Sequence, residues 1–170
     1  MKLTLTFLAL FIVTIGFSQK NLDKLLKKYN TNNVPYISVE ELAMPKTNAI
    51  LLDAREIEEY NISHLKNAIY VGYNTFKLET VLNTIPNKDN AIVVYCSLGI
   101  RSETIANKLK TAGYTNVKNL YGGIFKWKNT NFNVYNNNKK ETDSVHAFSK
   151  AWSKWLKKGV SYVPKVEPNE

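Results

Sequence analysis

Short apolar runs alternate with helically spaced segments along the middle of the chain. Ala49-Ile50-Leu51-Leu52-Asp53-Ala54 is continuous and apolar until a charge ends it, the pattern of a strand buried on both faces. Ala68 to Val71 and Ala91 to Tyr95 are further apolar strands, and Val117 to Leu120 reads as another strand. Between them, Phe76 to Leu82, Glu103 to Lys110 and Ile124 to Trp127 carry helical spacing, and Ile105, Ala106 and Leu109 form one apolar face. Gly113 stops the second of these helices and Gly122-Gly123 makes a turn before the third. Val34 to Ile37 is a short extended piece, and Ser38 with Glu41 forms a capping box opening a helix over Val39 to Met44 that Pro45 ends. Strands alternating with helices over residues 34–128 predict an α/β domain with a mainly parallel central sheet and helices on both faces.

The flanks differ. Met1 to Ser18 has one early cation, Lys2, then an apolar run too short for a membrane span, then small and polar residues. That is the layout of a secretory signal, so residues 1–18 are expected to direct export to the periplasm or outside, leaving no stable span after cleavage; a retained anchor is the alternative. Residues 19–33 read as a helical extension with Leu22, Leu25, Leu26 and Tyr29 on one face, broken by Asn30 to Asn33. Residues 129–142 are polar and asparagine-rich, a linker. Residues 143–170 are expected to hold a C-terminal amphipathic helix over Ser144 to Lys158, with Val145, Phe148, Trp152 and Trp155 at helical spacing, docked on the domain.

Charge changes this picture little. The net charge is +9, but the lysines are scattered and no basic stripe is interleaved with aromatics, so a nucleic-acid partner is not expected. The arginines say more. Lys and Arg total 23, of which only Arg55 and Arg101 are arginine. Arginine offers a planar fork of donors and a permanent charge that lysine cannot copy.

Candidate chemistry centres on Cys96, the sole cysteine. It ends an apolar strand, and Ser97, Leu98, Gly99, Ile100, Arg101 and Ser102 lead from it into a helix. A thiol there lies among inward-pointing N–H groups near the positive end of a helix dipole, which favours thiolate. The alternative is a buried structural cysteine. In an exported chain a lone thiol cannot pair internally, which argues for use. Asp53 leaves another strand end, where ligands bind in such sheets. Arg55 and Glu59 are four apart and expected to pair on a helical turn, a structural ion pair rather than a catalytic carboxylate. His64 is expected to be a hydrogen-bonded packing residue, and no metal is expected, since no ligand stands beside it at metal spacing.

Three separated stretches together resemble the single-domain rhodaneses, a sulfurtransferase family. The first is Asp53-Ala54-Arg55 with Glu59-Tyr60, Ser63-His64-Leu65 and Ala68; the second is Cys96 to Ser102; the third is Gly113-Tyr114, Asn116-Val117, Leu120, Gly122-Gly123-Ile124 and Trp127. The resemblance covers residues 34–128. It implies that Cys96 takes the outer sulfur of a donor such as thiosulfate as a persulfide, with no other cofactor, and passes it to a thiophilic acceptor, a small molecule or a protein thiol. It further implies that the N–H groups of the 96–101 loop cradle the persulfide, that Arg101 helps hold a small anionic donor, and that Asp53, Arg55, Glu59 and His64 support the site. Ser63 stands where the family usually has glycine. Ser97 stands where many thiosulfate-preferring members have arginine, so the loop offers one side-chain cation. Alternatives are a non-enzymatic sulfur-carrier or binding module, and a cysteine-dependent phosphatase or arsenate reductase. The latter enzymes place five residues between Cys and Arg; here there are four.

Overall fold

The computed structural model describes residues 21–163. The expected export signal at residues 1–18 lies outside them. The described residues divide into two compact units that meet between Asn32 and Asn33. In the first, residues 21–29 are helical, with Leu22 and Leu26 buried. Tyr29 is exposed rather than on the apolar face, and Asn32 takes a left-handed conformation (φ 58°) just after the helix ends.

The second unit is built on five parallel strands: β1 (Tyr36–Ile37), β2 (Ile50–Asp53), β3 (Ile69–Tyr70), β4 (Ile92–Tyr95) and β5 (Val117–Leu120), in the order β1-β5-β4-β2-β3. The register sets Asp53 beside Tyr95 and Val94 beside Asn119. All four β4 residues are buried, as the continuous apolar run requires of a central strand. Alternate residues of β2 and β4 (Leu52, Ile92, Val94) meet Ile105, Ala106 and Leu109 of the helix Arg101–Thr111 in the main core. Of the capping box expected at Ser38 and Glu41, the Ser38 half is present: its hydroxyl accepts from the Glu41 N–H at 3.0 Å and opens the helix Val39–Leu42, while the Glu41 carboxylate meets Lys118 at 3.3 Å. The helix expected over Phe76 to Leu82 runs Leu78–Thr84.

Beyond residue 128 the structure departs from the sequence reading. The expected polar linker is ordered. The helix Gly123–Asn129 runs into it, followed by a hairpin of β6 (Val134–Tyr135) and β7 (Glu141–Thr142). Its asparagines carry local bonds: Asn136 Oδ1 accepts from the N–H groups of Asn138 (3.0 Å) and Lys140 (3.2 Å), the turn chemistry that lets a polar segment fold back.

The expected amphipathic helix over Ser144 to Lys158 does not form. Its first part is a strand, β8 (Ser144–His146), paired in parallel with β9 (Val160–Tyr162), and only Lys150–Ser153 is helical. Val145, His146 and Ala147 are all buried, so this stretch is covered on both faces of the strand and not along one helical stripe. Asn129 fastens the segment: its side chain donates to the Trp155 carbonyl (2.8 Å) and accepts from the N–H groups of Lys157 (2.6 Å) and Lys158 (3.0 Å). β8 packs on the helix Ile57–Ile62, which brings the C-terminal segment to the carboxyl end of the sheet.

Candidate active site around Cys96

Cys96 follows β4 directly, and four residues, Ser97 to Ile100, separate it from the helix Arg101–Thr111, with Ile100 as the N-cap. The loop is fixed from beneath. Its Cys96 and Ser97 carbonyls accept from the N–H groups of Ile124 (2.9 Å) and Phe125 (3.2 Å). Gly123 makes this approach possible: a Cβ there would lie 2.2 Å from the Cys96 carbonyl oxygen. Gly99 has φ +103°, a region that L side chains rarely adopt, and its N–H donates to Cys96 Sγ at 3.1 Å.

The thiol is buried and unbridged. Burial pushes its pKa up. The Arg101 charge, the Ser102 hydroxyl and N–H, and the Gly99 N–H outweigh that, so the thiol is held below its ordinary value. Ser102 Oγ lies 3.5 Å from Sγ and donates to Asn119 Oδ1 at 2.7 Å, while Asn119 Nδ2 donates to the Gly99 carbonyl at 2.8 Å. Buried Asn119 thus ties both ends of the thiol's surroundings to β5. The sequence reading missed it, although its place two residues into β5, before Gly122-Gly123, marks it as polar inside an apolar strand.

Glu59 and Arg101 close the other side. The Arg101 fork meets the carboxylate twice, Nη1 to Oε2 at 2.6 Å and Nη2 to Oε1 at 2.8 Å, and Nη2 also donates to Ser97 Oγ at 3.0 Å. Ser97 Oγ in turn donates to Glu59 Oε1 at 3.0 Å. Such two-point pairing is what arginine provides and lysine does not. Burial works to raise the Glu59 pKa, but the Arg101 bonds and charge dominate and lower it. The expected Arg55–Glu59 pair is therefore replaced. Arg55 precedes the helix, whose N-cap is Glu56, so the two side chains do not share a helical face. Arg55 folds back instead on Asp53, Nη2 to Oδ2 at 2.7 Å, and donates to the Ser63 carbonyl at 2.5 Å, with both side chains fully buried. Asp53 and Arg55 thus brace the β2 turn, away from the thiol's own contacts.

His64 is buried as a packing residue. Its ring stacks on Tyr60 at 4.2 Å, Nδ1 lies 3.0 Å from the Leu65 carbonyl, and its backbone bridges to Tyr135. Leu98 is buried and Ile100 half-buried in the loop. Arg101, expected to hold a small anion, has both terminal nitrogens on Glu59 and one face of its guanidinium under the Phe148 ring, 4.6 Å from the centroid. Phe148 and His146 arrive from the C-terminal segment. The helical spacing assigned there placed Phe148 on a docked helix and left His146 unread.

The rhodanese-like domain matches residues 38–130 of the chain. A tRNA uridine(34) hydroxylase of Leptospira interrogans is 38% identical over 102 residues, covering 57% of this chain and 28% of that protein. The adenylyltransferase and sulfurtransferase UBA4 of Candida albicans is 36% identical over 110 residues, covering 62% of this chain and 24% of that protein. The chain thus spans about a quarter of the length of these relatives. Among solved structures, the BH2092 protein of Bacillus halodurans aligns with a TM-score of 0.54 at 24% identity, over 67% of this chain and 85% of that one. The thiosulfate sulfurtransferase of Pseudomonas aeruginosa aligns at 0.57 and 21% identity, over 82% of this chain and 26% of that one. These two share the fold. By the domain match over more than half its length, the chain belongs to the rhodanese-like family.

Proposed function

We propose that the protein is a sulfurtransferase that moves a sulfane sulfur through a persulfide on Cys96. The observation that carries the reading is the pairing of a lowered thiol pKa with the backbone N–H groups of Gly99 and Ser102 directed at Sγ, the Gly99 N–H at 3.1 Å. A group of donors that stabilises a thiolate suits the outer sulfur of a persulfide anion equally well. With thiosulfate as donor, the Cys96 thiolate attacks the outer sulfur. A new S–S bond forms, the donor S–S bond breaks, and sulfite leaves with the electron pair. A thiophilic acceptor such as cyanide then attacks the terminal sulfur, and Cys96 returns as thiolate. No outside oxidant or reductant takes part, and the covalent intermediate makes the kinetics ping-pong. The acceptor is a small thiophile or a protein thiol, and export would place the reaction outside the cytoplasm.

Four residues separate Cys96 from Arg101, and the loop's one side-chain cation, Arg101, is bound to Glu59, which disfavours a phosphatase or arsenate reductase. Thiocyanate formation from thiosulfate and cyanide, with parallel double-reciprocal plots, is the test. We expect turnover that Cys96→Ser abolishes, and none with an aryl phosphate. Aryl phosphate hydrolysis lost in Cys96→Ser would overturn the proposal.

A further inference from the structure

Phe148 stands at the edge of the site in a conformation that calls for a reason. Its φ is +64°, a region bulky L residues rarely occupy, and such outliers persist only where their surroundings over-determine them. Here they do. The Phe148 N–H donates to His146 Nδ1 at 3.0 Å, and His146 is buried in β8. The next residue back, Ala147, is fixed by its N–H to the Tyr162 carbonyl at 2.8 Å. The ring meets Trp152 edge-on at 5.7 Å and lies over the Arg101 guanidinium at 4.6 Å. Yet Phe148 remains 44% exposed, so an aromatic surface faces solvent beside the cation that stabilises the thiolate.

Two features follow for a donor approaching Cys96. Residues 97–100 of the loop (Ser, Leu, Gly, Ile) carry no charge, and Arg101 spends its fork on Glu59 and one face on Phe148. A dianion would approach a thiolate with the loop's one cation already engaged. An apolar or aromatic body would meet the open ring of Phe148. We propose that Phe148 determines donor specificity: its ring, held over Arg101, turns the site against doubly charged inorganic donors and toward sulfane donors with at most one negative charge and an apolar body. The inference rests on the sulfur-transfer reading above and deepens it.

Benzenethiosulfonate and thiosulfate are the probes, since both present an outer sulfur but differ in charge and in the ring. With benzenethiosulfonate, Cys96 forms the new S–S bond, the bond to the sulfonyl sulfur breaks, and benzenesulfinate leaves with the electron pair. Cyanide then carries the sulfur off as thiocyanate. The ratio of kcat/KM for the two donors is read in wild type, Phe148→Ala and Phe148→Leu. We expect the ratio to fall about tenfold in Phe148→Ala, mostly through KM, as thiosulfate gains and the aryl donor loses. Phe148→Leu, which keeps bulk but lacks the aromatic face, should fall in between. It decides the matter alone if the alanine variant does not fold. A ratio unchanged in the folded variants, or an equal loss for both donors, overturns the inference while leaving sulfur transfer intact. Intact mass separates the two failures: if neither donor adds sulfur to Cys96 in wild type, the sulfur-transfer reading itself falls.

Discussion

Two arginine–carboxylate pairs flank the carboxyl ends of β2 and β4, and they do different work. Asp53–Arg55 is wholly sealed; Glu59–Arg101 leaves the Arg101 side chain 15% exposed. The sealed pair bonds to backbone at Ser63 and lies over the Tyr95 ring, so it braces the turn after β2. The open pair bonds to Ser97 in the thiol loop, and its cation lowers the Cys96 pKa. The same chemical pair thus serves as scaffold where it is dry and as electrostatic support for a thiolate where it reaches the mouth. Position relative to Cys96 separates the roles, not residue type.

The largest effect should come from breaking the sealed pair. Asp53→Asn strands a buried guanidinium and should cost about 3–5 kcal/mol in denaturant unfolding. In the fraction that folds, Cys96 alkylation should keep its wild-type pH profile; a shifted profile would merge the two roles. Glu59→Gln should cost less, on the order of 2 kcal/mol, since hydrogen bonds to a charged group are worth that much. Its pH signature is specific. The folded Glu59 pKa lies below the ordinary carboxylate value, so its contribution is complete above that value and is lost as pH falls through the depressed one. Wild type should lose stability across that acid window, and Glu59→Gln should lose less of it when unfolding is followed against pH. The smallest effect concerns reactivity. Arg101→Gln removes the cation that favours thiolate, raising the thiol pKa, so iodoacetamide alkylation near neutral pH should slow about tenfold per pKa unit. The rates should converge at pH above both values.

Much of this was legible in the chain. The central strands β2 and β4 declare themselves as apolar runs because a parallel sheet buries both of their faces; β5, with Lys118 and Asn119 inside it, and the edge strand β3, with Ile69 exposed, carry that signal less fully. The strand, loop and helix around Cys96 were legible for the same reason. Partners of charge were not. Glu59 is four residues from Arg55 but 42 from Arg101, and the true pairing depends on Arg55 lying outside the helix, a boundary that sequence fixes poorly. The C-terminal segment failed through coincidence of periods. Val145, Phe148, Trp152 and Trp155 fit a helix, but β8 is held by pairing with β9, sixteen residues on, and Asn129 fastens residues 155–158 ahead of β9. Those contacts are non-local, and they override local propensity. They also bring His146 and Phe148 to the site.

The central claim is that Cys96 carries a persulfide. Its most direct test is the intact mass of the protein before and after incubation with a sulfane donor, for wild type and Cys96→Ala. The account predicts a gain of one sulfur atom in wild type alone, reversed by cyanide. A folded wild type with a free thiol that gains no sulfur from thiosulfate, benzenethiosulfonate or polysulfide would contradict it, and would leave a binding module on a rhodanese-like frame.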